Sequence, residues 1–327
     1  MQIPTYSAPI HETGLAPFPA SVEPMCKELA ELVSGKLIKE GILETNIPGL
    51  DLIRADSPSD WVSSVYEPSL CVLAQGSKTV KLGDREIVYG ALSYLISSVD
   101  LPLTGRITNA SPENPFLAVK ISIDPSEVAD LVLQIDDAHV YGEAEGFPYS
   151  SCGLSVVEVD LDILDAMKRL VGLLDCPTKA RILAPLIRRE IIYRALVGKM
   201  GSCIRDFVST DSQSNRISRV ISVLKDRFAE QLRVRELAED VNMSESALYH
   251  SFKQVTRMSP VQFQKKLRLH EARRLMLSEG LEAATASYRV GYESPSHFSR
   301  EYSRMFGASP RAHVISLRSE THMSLSG

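Results

Sequence analysis

The 327-residue sequence contains one tryptophan, five cysteines and seven histidines, and none of these scarce residues is grouped. Cys26, Cys71, Cys152, Cys176 and Cys203 are odd in number and include no C-x-x-C pair, which excludes a disulfide framework and a zinc knuckle. A reducing cytoplasm is the expected setting. No run of about 18 apolar residues is present, so no membrane-spanning helix is expected. The opening "MQIPTYSAPIHETG" lacks the basic-then-apolar order of a secretory signal. Phosphate loops, G-x-S-x-G elbows and dinucleotide fingerprints are also missing, and before residue 216 the only histidines are His11 and His139. A metal-dependent enzyme would need clustered ligands, so neither metal nor cofactor is expected.

The net charge of −5 hides an asymmetry. From Arg216 onward there are 18 Lys and Arg against 12 Asp and Glu, whereas the 215 residues before hold 18 against 29. A basic C-terminal segment suits a polyanion, although a solvated surface would look the same. The polar stretch "STDSQSN" (209–215) between the halves reads as a linker.

The hydrophobic pattern changes twice along the chain. Residues 25–43 carry apolar side chains at helical spacing and predict one amphipathic helix. From about 50 to 150 come short β-branched runs, among them "SLCVLAQ", "KTVKL", "REIVY", "LSYLIS", "LTGRIT" and "FLAVKISI", with Gly83-Asp84 as a tight turn. Short strands at this spacing suit a sandwich or a small barrel, and a mainly antiparallel barrel is expected. Near Leu161 the period lengthens: "LDILDAMKRLVGLLD" and "LAPLIRREIIYRALVG" predict a helical hairpin near 161–199. Its stripes, Ile163, Met167, Leu170 and Leu174 on one helix and Ile187, Ile191 and Leu196 on the other, fit either a core or a subunit seam. Cys71 fits either a buried structural thiol or a reactive sensor.

The most informative pattern is a repeat. "SESALYHSF" (244–252) returns as "SPSHFSREY" (294–302), fifty residues on, and Ser259-Pro260 is echoed by Ser309-Pro310. With Ser244 as N-cap, Leu248, Phe252 and Val255 share one side of a helix, and Ser246, Tyr249, His250 and Lys253 the other. "VRELAEDVN" before it is a second short helix, and Asn242 tolerates a left-handed turn. The second copy has Gly291 at its turn, Phe298, Tyr302 and Met305 inward, and Ser296, Ser299, Arg300 and Ser303 outward. Each copy is a helix-turn-helix, and "PVQFQKKLRLHEARRLMLSEG" is one linking helix. Arg300 suits a guanine edge. Tyr249 and His250 suit bases or phosphates, Lys253, Lys265 and Lys266 phosphate or solvent, and His297 lies off the reading face.

Both turns, both second helices, Arg268, Leu269 and Ala272 of an R-L-x-x-A segment, and "FGASP" (306–310) resemble the DNA-binding region of the AraC/XylS family of bacterial transcription regulators. "YEPSLCVLAQGSKTVKLGD" (66–84) is similar to that family's cupin-like effector domains, in the subgroup whose barrel follows an N-terminal helix. The resemblance implies an α+β protein: a cupin-like antiparallel barrel with flanking helices over 1–208, a linker at 209–217, an all-α double helix-turn-helix domain at 218–318, and a disordered tail at 319–327. It implies a sequence-specific transcription regulator whose two recognition helices read successive major grooves, with duplex DNA, RNA polymerase, a second copy of the chain and a small organic effector as partners. Two positions depart from the family pattern. Ala286 stands where a bulky aliphatic precedes the small Ser287, and Ser246 stands where relatives carry a larger base-reading side chain. The competing reading, an enzyme or DNA-repair protein with a DNA-binding tail, would need a zinc-type cysteine cluster or a reactive Cys–His pair.

Overall fold

A computed structural model describes residues 22–137, 153–199, 201–209 and 212–325. His11, His139 and Cys152 lie outside them. Helix α1 (Val22–Lys36) buries Val22, Cys26, Leu29, Ala30 and Val33. It is shorter than the 25–43 expected, because Gly41–Glu44 forms strand β1 against β2 (Leu50–Ala55). Gly41, at φ +144°, turns the chain out of the helix direction, and sheet pairing overrides the local helical spacing.

The strands that follow are β3 (Val62–Tyr66), β4 (Ser69–Gln75), β5 (Ser77–Leu82), β6 (Arg85–Gly90), β7 (Ser93–Ser97), β8 (Leu101–Asn109), β9 (Phe116–Ser122) and β10 (Leu154–Glu158). They build a six-stranded sheet, β1-β2-β9-β4-β7-β10, and a four-stranded sheet, β3-β8-β5-β6, with every pairing antiparallel. The six runs read as strands are β4 to β9. Gly83, at φ +62°, makes the β5–β6 turn.

One face of the larger sheet, with Leu50, Leu52, Leu70, Val72, Tyr94, Val119 and Ile121 all buried, lies under helices. Arg54 of β2 donates to Ser34 and to the Leu37 carbonyl at the end of α1. Because side chains alternate along a strand, the other face turns toward the four-stranded sheet.

Helix α2 (Pro125–Asp137) enters between β9 and β10. The hairpin follows as α3 (Leu161–Gly172), a 3₁₀ turn at Leu173–Asp175, and α4 (Pro177–Val197), then α5 (Gly201–Val208). Asp160 caps α3 through the Ile163 N–H. Of the two stripes left open between core and seam, Ile163, Met167, Leu170, Ile187, Ile191 and Leu196 are buried and belong to the core, Leu174 is half-buried against it, and α3 packs on both α1 and α4.

The C-terminal part is helical: α6 (Gln213–Asp226), α7 (Val234–Asp240), α8 (Glu245–Thr256), α9 (Pro260–Ser278), α10 (Ala283–Arg289), α11 (Pro295–Phe306) and α12 (Pro310–Leu325). Helix α12 continues into the segment read as a tail. The first helix-turn-helix unit docks on one end of the barrel. Gly153 N–H donates to the Val255 carbonyl at 3.2 Å, and Lys225 reaches Asp100 at 2.7 Å and Glu67 at 3.3 Å.

Candidate nucleic-acid interface

The two repeats become two units of the same construction. In the first, Asn242 holds φ +53° at the turn, and the Ser244 hydroxyl accepts from the Ala247 N–H to start α8. Leu248, Phe252 and Val255 are buried, while Ser246, Tyr249, His250 and Lys253 are exposed along the opposite side. In the second, Gly291 holds φ +88° and Ser294 caps α11 through the His297 N–H. Phe298 and Tyr302 are buried, Ser296 and Arg300 are exposed, and Ser299 and Ser303 are half-buried. With the barrel docked, Ser246, Tyr249, His250, Lys253, Ser296 and Arg300 stay exposed, while α9 and α11 also touch strand β3. The Ser-Pro echo also has a structural reason: Ser259 and Ser309 each cap the helix that follows a recognition helix, α9 with a full capping box from Gln262.

Ala286 and Ser287 are both fully buried in α10, with the Ser287 hydroxyl donating to the Ala284 carbonyl. The small pair therefore packs closely rather than loosely. His297 lies 5.7 Å from the Tyr292 ring and beside Glu301, to one side of the face that carries Ser296 and Arg300. Lys265, read as a phosphate or solvent contact, instead pairs with the buried Glu301 carboxylate at 2.7 Å and ties α9 to α11. Lys266 is half-buried, and burial lowers its pKa.

A side chain singled out only as part of a motif has the largest structural role. Arg268, on α9, donates from Nε to the Phe228 carbonyl at 2.7 Å and from Nη1 to the Gly291 carbonyl at 2.8 Å. Its Nη2 reaches the Ala229 and Glu230 carbonyls at 3.2 and 2.7 Å. The guanidinium therefore joins the α6–α7 loop of the first unit to the turn of the second. Its planar fork of five donors is what allows one side chain to serve four carbonyls. Helix α9, about 28 Å long at 1.5 Å per residue, and this strut set the two recognition helices in one relative placement.

His270, on the same helix, is buried edge-on against Phe306, with ring centres 5.5 Å apart. Burial, together with Arg273 and Lys266, drives its pKa from 6.5 down to about 3. The folded form thus excludes a proton that the unfolded chain takes up. Its stabilising contribution is complete above about pH 6.5 and is lost as pH falls toward 3. At about 1.36 kcal/mol per pH unit, roughly 2 kcal/mol should disappear between pH 7 and pH 5. Denaturant unfolding at both values checks this, and His270→Leu should remove that part of the pH dependence.

The sequence matches two family models. The model described as the AraC-type transcriptional regulator N-terminus covers residues 46–203, and one described as a helix-turn-helix domain covers 237–314. The HTH-type transcriptional activator RhaS of Salmonella typhimurium is 28% identical over 155 residues, which is 47% of this chain and 55% of that protein. The chain spans about half the length of the curated relatives it matches. Among solved structures, ToxT from Vibrio cholerae is similar over 81% of this chain and 97% of its own, with a TM-score of 0.53 and 13% identity. A wild-type ToxT structure with an unsaturated fatty acid bound has a TM-score of 0.50 at 11% identity, over 81% of this chain and 94% of that one. These likenesses show a common two-domain fold. By its barrel and its paired helix-turn-helix units, the chain belongs to the AraC-type transcriptional regulators.

Proposed function

We propose that the chain is a sequence-specific DNA-binding regulator in which α8 and α11 enter successive major grooves on one face of the duplex. The carrying observation is that two exposed polar helix faces are held by a single helix, α9, and its Arg268 strut. Ser246, Tyr249, His250 and Lys253 face one groove, and Ser296, Ser299 and Arg300 the next. Adjacent grooves on one face lie about 34 Å apart, so one chain spans a site of two unlike segments. The alternative of a catalytic protein with a DNA-binding tail has no support in the family match, which is to regulators.

Binding of the full chain to a duplex library across a salt series tests the assignment. Arg300→Ala should cost about 1–3 kcal/mol, concentrated at one position of the second segment. Lys253→Ala should weaken all sequences alike and reduce the salt slope by about one unit. An equal loss on every sequence for Arg300→Ala would remove it as a base reader.

In this reading the barrel holds a small organic effector that shifts the chain between DNA-competent and DNA-incompetent arrangements, and RNA polymerase reads the outcome in the cytoplasm. Support comes from the barrel's docking on the first unit through Gly153, Val255 and Lys225. The chain acts as a homodimer. Ile182, Leu183 and Leu186 on α4 stay exposed at 67%, 41% and 61%, an apolar face that a second copy would cover. Leu186→Glu should therefore yield monomers in sedimentation with the melting temperature of the native chain. A native chain that is already monomeric at tens of micromolar would contradict this.

A further inference from the structure

The fifty-residue repeat sets the two recognition helices in register, residue for residue, yet their charges differ. Glu245, Lys253 and Gln254 of α8 stand where α11 has Pro295, Ser303 and Arg304, and His250 stands where it has Arg300. The exposed side of α8 thus carries one carboxylate and one ammonium, whereas that of α11 carries two guanidiniums. The single carboxylate of α11, Glu301, is buried and paired with Lys265.

Other cations of the first unit are already engaged. Arg233 and Arg235 pair with Glu236 and Glu239 at 2.8 and 2.9 Å. Arg257 is turned to the barrel: its Nε is buried, and a Cβ on Gly83 would meet its carbonyl oxygen at 2.6 Å. Arg300 and Arg304 have no carboxylate partner among the described residues, since Glu301 serves Lys265 and stands beside His297. Like charges four residues apart weaken a helix, and a phosphate close to both removes that repulsion.

Position along α11 separates the two arginines. Ser296 and Arg304 are about 12 Å apart along the axis at 1.5 Å per residue, about the width of a major groove. The first turns of a recognition helix meet base edges. With Ser296 and Arg300 over the bases, Arg304 stands at the groove wall, where the phosphates run. We propose that the second unit is the electrostatic anchor of the chain on DNA, with Arg304 clamping a backbone phosphate. The first unit, neutral over its reading face, binds its segment through contacts that salt scarcely touches. This rests on the reading of α8 and α11 as groove-reading helices and divides the binding between them.

The test uses the full chain and the two-segment site it selects from a random duplex pool, together with two shorter duplexes that each hold one segment. The second-segment duplex should bind at least about tenfold tighter at low salt, and its salt slope should be steeper by about one to two units. On the whole site, Arg304→Ala should weaken every sequence alike, by about tenfold, and lower the slope by about one unit. Arg304→Lys should restore most of both, because a phosphate accepts a point charge. The melting temperature of Arg304→Ala should match or exceed that of the native chain, because the repulsion from Arg300 is gone. Equal slopes for the two short duplexes, an unchanged slope in Arg304→Ala, a loss confined to one base position, or a clearly lowered melting temperature would each overturn the proposal. A chain that selects a two-segment site and then gives one of those results defeats this inference alone. One that selects no duplex defeats the regulator reading on which it stands.

Discussion

Arg268→Ala is expected to unfold the coupling between the two helix-turn-helix units and to destabilise the C-terminal domain by about 3 kcal/mol. Hydrogen bonds to charged groups contribute roughly 1.5–3 kcal/mol each, and Arg268 makes four, but the guanidinium is only half-buried, so water replaces part of what is lost. Arg268→Lys should rescue little, because one ammonium cannot span the carbonyls of Phe228, Glu230 and Gly291. Denaturant midpoints give the stability loss. Binding to separate half-sites and to the joined site gives the functional part: the joined site should lose far more than either half. An equal loss on all three would make Arg268 a general stabiliser with no part in placing the helices.

Gly291→Ala should be at least as damaging, for a different reason. A left-handed backbone costs a non-glycine residue about 1–2 kcal/mol, and Gly291 sits at φ +88°. Steric overlap costs more. A Cβ there would lie 2.1 Å from the Ala229 carbonyl oxygen, so the loop held by Arg268 would have to move. A total loss above about 3 kcal/mol is expected. Gly280→Ala is the control: at φ +69° its Cβ would meet only Arg318 Nη2, 3.8 Å away. That variant should show the backbone cost alone. Similar losses for the two substitutions would contradict the close approach at Gly291.

Local signals carry most of the fold. Period-two alternation and the Gly83-Asp84 turn locate β4 to β9, and the repeated Ser-capped frame locates α8 and α11 together with their turns. Local pattern misleads where long-range pairing decides the outcome. β1 falls inside the span expected as the first helix, because only its partner β2 makes Gly41–Glu44 extended, and α2 is absent from the sequence-based expectation. For the interface, exposure of Tyr249, His250, Lys253 and Arg300 follows from helical periodicity alone. The roles of Lys265 and Arg268 do not, because their partners, Glu301 and the carbonyls of Phe228 and Gly291, come from distant segments.

The central claim, that one chain reads two adjacent grooves through a fixed pair of helices, is tested most directly by spacing. The full chain is used to select duplexes from a random pool, and about five base pairs, half a helical turn, are then inserted between the two selected segments. The account predicts a site of two unlike segments one turn apart and a loss of affinity of at least about a hundredfold on insertion, since α9 and Arg268 cannot swing the second helix to the opposite face. Undiminished binding to the lengthened site, or no selection of duplex DNA even at low salt, would contradict it.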